Sequence, residues 1–323
     1  MWLLAGDVGG TTTRLRLASL QEGIIAESIT EQYPSQHYPD LFTLLTEFLA
    51  AHPCASIAAA CFAIAGPITA QSATVTNLPW TFTTQELASR FNIAKVTLVN
   101  DFQGVGYGIE TLQASELLIL QQGHAQLHGV CAILGAGTGL GMGIMVWRDG
   151  EYVMLPSEGG HADFAPTTDE QWIVWKTLNQ QRGRVSVEDI LSGSGLENIY
   201  HVLYQHVHTH ACDPARCKAE LISQRAIRGE DPVAVQALHL FVAVYGAQAG
   251  NLALTVMATG GVYISGGIAS KISAWLPHGS FMQAFHNKAP MLTVMQGFPV
   301  QVILDPLIGL RGALCCAQRS LAN

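Results

Sequence analysis

The sequence predicts an α/β protein with two domains. At 323 residues, the chain has the length of about two ordinary domains. Short apolar runs that are typical of buried strands alternate with segments whose apolar residues have helical spacing. A strand, a glycine-rich turn with threonine and a second strand occur at the start of the chain and again in its middle. The middle of the chain therefore repeats the plan of its beginning.

The first third of the chain is predicted to open with a β-hairpin. Residues 2–8 are typical of a buried strand, residues 12–19 alternate between polar and apolar side chains, and a Gly9-Gly10-Thr11 turn joins them. Further strands are expected at 24–29, 57–65 and 96–99, and helices at 40–52 and 84–91. The last strand delivers Asn100 and Asp101 at its carboxyl end, the edge where sheets of alternating strands and helices bind ligands.

A second hairpin is predicted in mid-chain. Its strands are 130–134 and 140–147, and Asp149-Gly150 is a strong turn signal before a third strand at 151–155. Helices are expected at 169–181, 187–192, 195–209, 216–228, 232–258 and 307–321, and further strands at 260–267 and 300–304. The sequence contains no long linker, and the pattern alone places the domain boundary near residue 110.

Composition argues against several classes of protein. Apolar residues make up 49% of the chain, yet no stretch of about 18 of them runs without a polar interruption, so we expect no membrane span. The formal net charge of −8 and the lack of a basic block argue against nucleic acid as a partner. Seven cysteines without a leader sequence predict reduced thiols in the cytoplasm. The pairs His206/His210 and Cys212/Cys217 are expected to bind no metal.

Two glycine turns are candidate phosphate-binding segments. The stretch Asp7-Val8-Gly9-Gly10-Thr11-Thr12 places a carboxylate before a turn whose backbone N–H groups can approach oxyanions, and this carboxylate can hold Mg²⁺ directly or through water. In Gly135-Ala136-Gly137-Thr138-Gly139, the threonine hydroxyl and backbone amides are the donors. The spacing fits neither a dinucleotide-binding fingerprint nor a P-loop. An ordinary hairpin turn is the alternative for both segments.

Carboxylates and a histidine supply the remaining chemistry. Asp101 could take the proton of an attacking hydroxyl, although an Asn-Asp pair is more commonly an Asx turn or a helix cap. Two glycines between Glu158 and His161 make a bend that would aim both side chains at sugar hydroxyls, and a polar surface loop is the alternative. Glu188 lies in a segment typical of a helix start, so stabilisation of the first turn is its alternative role.

In this order, the motifs resemble the bacterial glucokinase family of the hexokinase/actin-like ATPase superfamily. The resemblance runs from Gly6-Asp7-Val8-Gly9-Gly10-Thr11 through Val99-Asn100-Asp101-Phe102 and the second glycine turn to Gly260-Gly261-Val262-Tyr263-Ile264-Ser265-Gly266-Gly267. Its most specific stretch is Glu158-Gly159-Gly160-His161-Ala162-Asp163-Phe164-Ala165-Pro166. The resemblance covers essentially the whole chain.

The resemblance implies a two-domain actin-like/hexokinase-like ATPase fold with a cleft between the domains. Residues 1–110 plus 301–323 would form a small α/β domain and residues 111–300 a large one. The implied reaction is ATP-dependent phosphorylation of D-glucose at the 6-hydroxyl, with Mg²⁺, by a homodimer. A kinase for another hexose and a non-catalytic sugar sensor are the alternatives. A sensor would need neither the base nor the metal carboxylate.

The resemblance also implies roles for individual residues. Asp101 would be the general base, and the sugar would be held by Asn100, Asp101, Glu158, His161 and Glu188. Asp7 would organise Mg²⁺, directly or through water. The phosphates would be bound by Gly9, Gly10, Thr11, Thr12, Gly137 and Thr138, and the adenosine would be approached by Gly266 and Gly267. The family often has Asn where this chain has Thr12, whose hydroxyl can still donate.

Overall fold

The structure is a computed structural model of the full chain, and it describes residues 1–69, 71–208, 213, 217–277 and 279–321. Two compact units divide the chain. Unit 1 comprises Met1–Gln113 and Leu307–Asn323, and unit 2 comprises Ala114–Pro306. His210 and Cys212, for which no metal role is predicted, lie outside the described residues.

Unit 1 is built on a five-stranded sheet. Its first three strands form an antiparallel meander, and the other two run parallel to the first strand. The strands are β1 (Trp2–Val8), β2 (Thr12–Gln21), β3 (Ile24–Pro34), β4 (Ile57–Ile64) and β7 (Lys95–Asn100), in the spatial order β3-β2-β1-β4-β7. All five are confirmed as predicted elements. A small hairpin of β5 (Ser72–Thr74) and β6 (Thr81–Thr83) was not predicted.

Four α-helices are described in unit 1. They are α1 (Leu41–Ala51), α2 (Thr84–Phe91), α3 (Asp101–Ile109) and α11 (Ile308–Arg319). The helix predicted from Asp40 is confirmed, and the Asp40 side chain accepts a hydrogen bond from Thr43 N–H at 2.7 Å. Thr83 and Glu86 form a capping box at the start of α2. The predicted α2 and α11 are therefore also confirmed, whereas α3 was not predicted.

Glycines explain why α3 escapes prediction from sequence. It contains Gly104 and Gly108, and each glycine costs about 1 kcal/mol relative to alanine inside a helix. A Cβ on Gly104 would stand 2.8 Å from Ala63 Cβ and 3.1 Å from Gly309 O. A Cβ on Gly312 of α11 would overlap the carbonyl oxygen of Gly104. Close packing of α3 on β4 and α11 thus requires glycine at positions where helix propensity disfavours it.

Unit 2 repeats the plan of unit 1 in a six-stranded sheet. After an edge strand, an antiparallel meander of three strands follows, and two later strands continue parallel to the meander's first strand. The strands are β8 (Leu117–Gln121), β9 (Cys131–Ala136), β10 (Leu140–Arg148), β11 (Glu151–Ser157), β12 (Gly261–Ser265) and β13 (Val300–Ile303), in the order β11-β10-β9-β12-β13-β8. The repeated plan that the glycine turns suggested is confirmed. Edge strand β8, antiparallel to β13, was not predicted.

Unit 2 contains one long apolar helix and several shorter helices. The α-helices described there are α4 (Asp169–Arg182), α5 (Gly193–His208), α6 (Ala219–Arg228), α7 (Pro232–Val256), α8 (Gly267–Lys271), α9 (Ser280–His286) and α10 (Leu292–Gly297). Helices α5, α6, α9 and α10 pack against the long helix α7. Among the described residues, α7 alone has the length and hydropathy to cross a membrane, and 67% of its most apolar window is buried inside the protein. This burial identifies α7 as the core helix of unit 2.

The helix predicted at 187–192 is wrong. Ser186 and Asp189 bond each other as at a helix start, with Ser186 N–H donating to Asp189 Oδ2 at 2.8 Å and Asp189 N–H donating to Ser186 Oγ at 3.2 Å. The segment nevertheless makes only one turn. Glu188 N–H donates to Gly160 O at 2.9 Å in another loop, and Gly193, where α5 begins, donates to Gly137 O at 2.9 Å. Leu191 N–H still donates to Val187 O at 2.8 Å, but long-range hydrogen bonds take the place of a continued helix.

The cysteines depart from expectation at one position. Cys54, Cys61, Cys131, Cys315 and Cys316 form no disulfide. Cys217 is disulfide-bonded and only 1% exposed. The prediction that all thiols are reduced is therefore wrong for Cys217.

Candidate active site

Three parallel strands of unit 1 end at one edge of their sheet. The register places Val8 at the end of β1 beside Ile64 at the end of β4, and Ile64 beside Asn100 at the end of β7. The turn after β1 and the start of α3 therefore both follow from this carboxyl edge. In α/β sheets this is the edge where ligands bind.

Asp7 stands beside this edge and pairs with a single arginine across the sheet. In the register of β1 and β2 it faces Arg14, whose Nη1 donates to Asp7 Oδ2 at 3.3 Å. The side chain of Asp7 is 24% exposed. Burial raises the pKa of Asp7 above its ordinary value, and the charge and hydrogen bond of Arg14 oppose that effect without cancelling it. A desolvated carboxylate of this kind gains from a further cation nearby.

Ser35 holds the first glycine turn in shape. Its Oγ donates to Gly9 O at 2.7 Å, and its N–H donates to Thr11 O at 2.9 Å. A Cβ on Gly10 would stand 2.5 Å from Thr76 O, so the close approach of the loop that carries Thr76 requires glycine there. Thr11 is exposed at the tip of the turn. The turn is therefore fixed from behind and open to solvent at its tip.

Asn100 and Asp101 begin α3. Phe102 N–H donates to Asn100 Oδ1 at 2.9 Å, and Asn100 N–H donates to Gln103 Oε1 at 2.9 Å, which together form a capping box. Asp101 Oδ1 also accepts from Phe102 N–H at 2.9 Å, and the Asp101 side chain is partly exposed. The helix-cap alternative is thus confirmed for Asn100. It is compatible with a catalytic role for Asp101, because the cap presents the carboxylate at the ligand-binding edge.

In unit 2, the second glycine turn is tied to Glu188 and to the start of α5. Leu140 N–H donates to Glu188 Oε2 at 2.7 Å, and Gly193 N–H donates to Gly137 O at 2.9 Å. A Cβ on Gly139 would stand 2.6 Å from Glu188 Oε2, whereas one on Gly137 would meet nothing within 4 Å. The turn is therefore closed at Gly139 and open at Gly137.

His161 lies between two carboxylates. Its Nε2 is 3.8 Å from Glu158 Oε2, and its Nδ1 is 4.0 Å from Glu188 Oε1. The side chains are exposed by 89% for Glu158, 61% for His161 and 33% for Glu188. Glu188 N–H bonds Gly160 O in the loop between the other two residues. The structure thus gathers the three unit 2 side chains predicted to bind sugar, which offer several hydrogen-bond acceptors and a ring N–H.

Gly266 and Gly267 follow β12 at the same edge as the second glycine turn. The register of β9 and β12 ends where Ser265 pairs with Gly135, so the segments beyond these residues begin side by side. Gly266 has φ +93°, and a Cβ there would stand 2.5 Å from Ala136 O. Gly267 has no heavy atom within 4 Å of a Cβ position, and Thr138 is exposed. Open backbone groups of the two segments are therefore neighbours.

Sequence reasoning missed the residues that hold these segments from behind. Ser35 bonds the first turn, and Tyr245 of α7 bonds the ends of β9 and β12. A Cβ on Gly309 of α11 would stand 3.6 Å from Asp7 Cγ, so α11 passes close to this carboxyl group. The general requirement that a buried tyrosine hydroxyl has a partner could have drawn attention to Tyr245. No local signal identifies its partners.

The donor set of unit 1 fits a magnesium ion that arrives with a nucleotide. Within the described residues, no group of three or more His, Cys, Asp and Glu side chains could hold a metal ion. Mg²⁺ on nucleotide phosphates needs only one or two protein carboxylates, because phosphate oxygens and waters complete its shell. Asp7, desolvated beside an open glycine turn, can provide such a carboxylate.

Both glycine turns lie next to carboxylates, and a histidine lies between two hydrogen-bond acceptors. This arrangement on the repeated α/β plan suits a sugar kinase. The glucokinase family model matches residues 4–320. A glucokinase from Trichormus variabilis is 40% identical, with 98% of this chain and 99% of that protein covered. The chain belongs to the glucokinase family.

Solved structures agree in fold. A crystal structure of glucokinase from an Antarctic psychrotroph is 29% identical, with a TM-score of 0.86 over 98% of this chain and 99% of that chain. The glucokinase of Balamuthia mandrillaris in complex with glucose has a TM-score of 0.80 at 22% identity, covering 98% of this chain and 93% of that chain. The predicted hexokinase-like α/β fold is confirmed.

Proposed function

We propose that this protein transfers the γ-phosphoryl group of ATP to the 6-hydroxyl of D-glucose, with Asp101 as the general base. As the 6-oxygen forms its bond to the γ-phosphorus, its proton passes to the Asp101 carboxylate. The bond between the γ-phosphorus and the bridging oxygen breaks, and ADP leaves with that oxygen. Such a reaction depends mainly on positioning and on neutralising charge, which the two glycine turns are suited to do.

The observation that carries the proposal is the double attachment of Glu188. Its carboxylate accepts from Leu140 N–H at the end of the second glycine turn, and its N–H donates to Gly160 O in the loop between Glu158 and His161. The second carboxylate oxygen lies 4.0 Å from His161 Nδ1. Glu188 thus belongs both to the proposed sugar-binding group and to the proposed phosphate-binding turn. A kinase must place a hydroxyl and a phosphoryl group in register, and one residue fixed to both loops supports that task.

In this proposal, each unit supplies part of the chemistry. Unit 1 supplies Asn100 and Asp101 for the sugar and Asp7 for Mg²⁺, which when bound neutralises phosphate charge. The turn residues Gly9, Gly10, Thr11 and Thr12 bind phosphates. Unit 2 supplies Glu158, His161 and Glu188 for the hydroxyls, Gly137 and Thr138 for phosphates, and Gly266 and Gly267 for the adenosine.

We further propose that the enzyme works in the cytoplasm as a homodimer. Five cysteines that form no disulfide support the cytoplasm, and the disulfide at Cys217 counts against it. The homodimer is supported only by the family resemblance, and sedimentation of the purified protein would test it.

The test is an assay of purified protein with Mg-ATP and a panel of hexoses, with direct detection of the sugar 6-phosphate. The informative variant is Asp101→Asn, because an asparagine Oδ1 can still accept from Phe102 N–H at the helix start. We expect kcat to fall by about 10²- to 10⁴-fold with glucose affinity retained. Preference for another hexose would overturn the assignment of glucose. Glucose binding without turnover in the wild type would show a sensor, and unchanged turnover in the variant would remove the role of Asp101.

A further inference from the structure

One buried hydroxyl joins the two strand ends from which the proposed nucleotide-binding segments of unit 2 emerge. Tyr245 lies in the middle of α7 and is 0% exposed. Its Oη accepts a hydrogen bond from Ala136 N–H at 3.0 Å and donates one to Ser265 O at 3.1 Å. Ala136 is the last residue of β9, and Ser265 is the last residue of β12.

The two bonds are made where β9 and β12 stop pairing with each other. Ser265 opposite Gly135 is the last pair of their register, so beyond it the two strands no longer satisfy each other's backbone groups. A hydroxyl can accept and donate at once, and here it completes both backbone groups. A buried N–H or C=O left without a partner would be costly. Where β9 and β12 diverge, the tyrosine hydroxyl therefore supplies the hydrogen bonds that the two strands no longer make to each other.

The residues that follow are those proposed to bind the nucleotide. Gly137 and Thr138 come directly after Ala136, and Gly266 and Gly267 come directly after Ser265. Contact between the two segments is already close, since a Cβ on Gly266 would stand 2.5 Å from Ala136 O. A change in the position of either strand end would move the backbone groups that meet phosphate and adenosine.

The tyrosine ring is itself held in place. It makes edge-to-face contacts with Phe241, at 6.0 Å between ring centroids, and with Phe281 of α9, at 5.9 Å. Burial raises the pKa of Tyr245, and the bond from Ala136 N–H only partly opposes this effect, so the hydroxyl keeps its proton and remains a donor. The position of the hydroxyl is therefore set by the aromatic core of unit 2.

We propose that Tyr245 is a positioning residue of the nucleotide site: its hydroxyl fixes the Gly137–Thr138 turn and the Gly266–Gly267 segment relative to each other. Tyr245 acts through the backbone and touches neither nucleotide nor sugar. This inference rests on the proposed function, because it takes these segments to be the ATP-binding ones.

The test compares Tyr245→Phe with a matched control, Tyr200→Phe. Tyr200 is also buried, at 2% exposed, and its hydroxyl donates to Asp231 Oδ2 at 2.7 Å, which caps the same helix α7. Both variants remove one buried hydroxyl and keep the ring. Isothermal titration calorimetry of wild type and both variants measures binding of a non-hydrolysable ATP analogue with Mg²⁺ and, separately, of glucose. Thermal unfolding is measured in parallel.

We expect both variants to unfold at lower temperature, and only Tyr245→Phe to bind the ATP analogue more weakly, by about tenfold. Glucose affinity should stay within about twofold in both. Equal nucleotide affinity in Tyr245→Phe and wild type, or equal weakening in both variants, would overturn the inference. A wild type that binds no nucleotide would instead refute the proposed function. If Tyr245→Phe does not fold, Phe281→Leu is the alternative variant, because it removes an aromatic contact that holds the Tyr245 ring. It should also weaken nucleotide binding, and unchanged binding would count against the inference.

Discussion

Replacement of Gly139 by alanine tests whether Glu188 links the sugar-binding loop to the glycine turn of unit 2. A Cβ at this position would stand 2.6 Å from Glu188 Oε2 and 3.2 Å from its Cδ, whereas ordinary contacts begin at 3.4 Å. The carboxylate must therefore retreat by about 0.8 Å (3.4 − 2.6). That movement breaks or lengthens the 2.7 Å bond from Leu140 N–H and displaces the neighbour of His161.

The size of the effect follows from the bond that is lost. A hydrogen bond to a charged group contributes about 1.5–3 kcal/mol. Because Glu188 is 33% exposed, water replaces part of this interaction, and we expect a loss of about 1 kcal/mol. Such a loss corresponds to about a fivefold rise in KM for glucose. If the same residue also fixes the phosphate turn, KM for ATP should rise with it.

Steady-state kinetics with glucose and ATP varied in turn is the appropriate assay, and Gly137→Ala is the matched control. Gly137 lies in the same turn, but a Cβ there meets nothing within 4 Å. We expect Gly137→Ala to affect KM for ATP without changing KM for glucose, because Gly137 belongs to the proposed phosphate turn and its new methyl group contacts no protein atom, Glu188 included. A KM for glucose within twofold of wild type in Gly139→Ala would refute the role assigned to Glu188.

Two further predictions concern unit 1. Burial raises the folded-state pKa of Asp7 above 3.8, its ordinary value in the unfolded chain. The folded protein therefore gains stability from protonated Asp7, fully below pH 3.8, and loses it as the pH rises through the folded-state pKa. Asp7→Asn should therefore raise the melting temperature near neutral pH by a few degrees while impairing turnover. The gain in melting temperature should shrink as the pH falls towards about 4. A melting temperature equal to that of wild type near neutral pH would refute this prediction. Gly312→Ala places a methyl group on the carbonyl oxygen of Gly104, so it should separate α11 from α3 and cost about 1–3 kcal/mol of stability. Because α3 begins at Asp101, its displacement should also lower kcat. Gly297→Ala, where a Cβ meets nothing within 4 Å, is the control in thermal unfolding, and equal stability of the two variants would contradict the packing argument.

The elements that the sequence predicts well are those with a strong local pattern. Apolar runs and glycine turns identify both meanders, and Asp40 and Thr83 mark real helix starts. Residues 186–189 show the limit of this approach. Ser186 and Asp189 make the hydrogen bonds of a helix start, but the chain follows longer-range partners at Gly160 and Gly137. A helix-start pattern records local preference, and tertiary hydrogen bonds can override it.

Candidate site residues divide in the same way. Residues proposed to touch ligands lie in recognisable stretches because their chemistry requires particular side chains beside glycines. Residues that hold those stretches in place bond backbone groups that are remote in sequence, at separations of 26 residues for Ser35, 48 for Glu188 and 109 for Tyr245. A backbone group gives no sign in the sequence of which side chain it bonds. Tyr245 and Ser35 therefore become visible only in the folded structure, and variants at such positions are the ones whose effects on turnover the motifs alone would fail to predict.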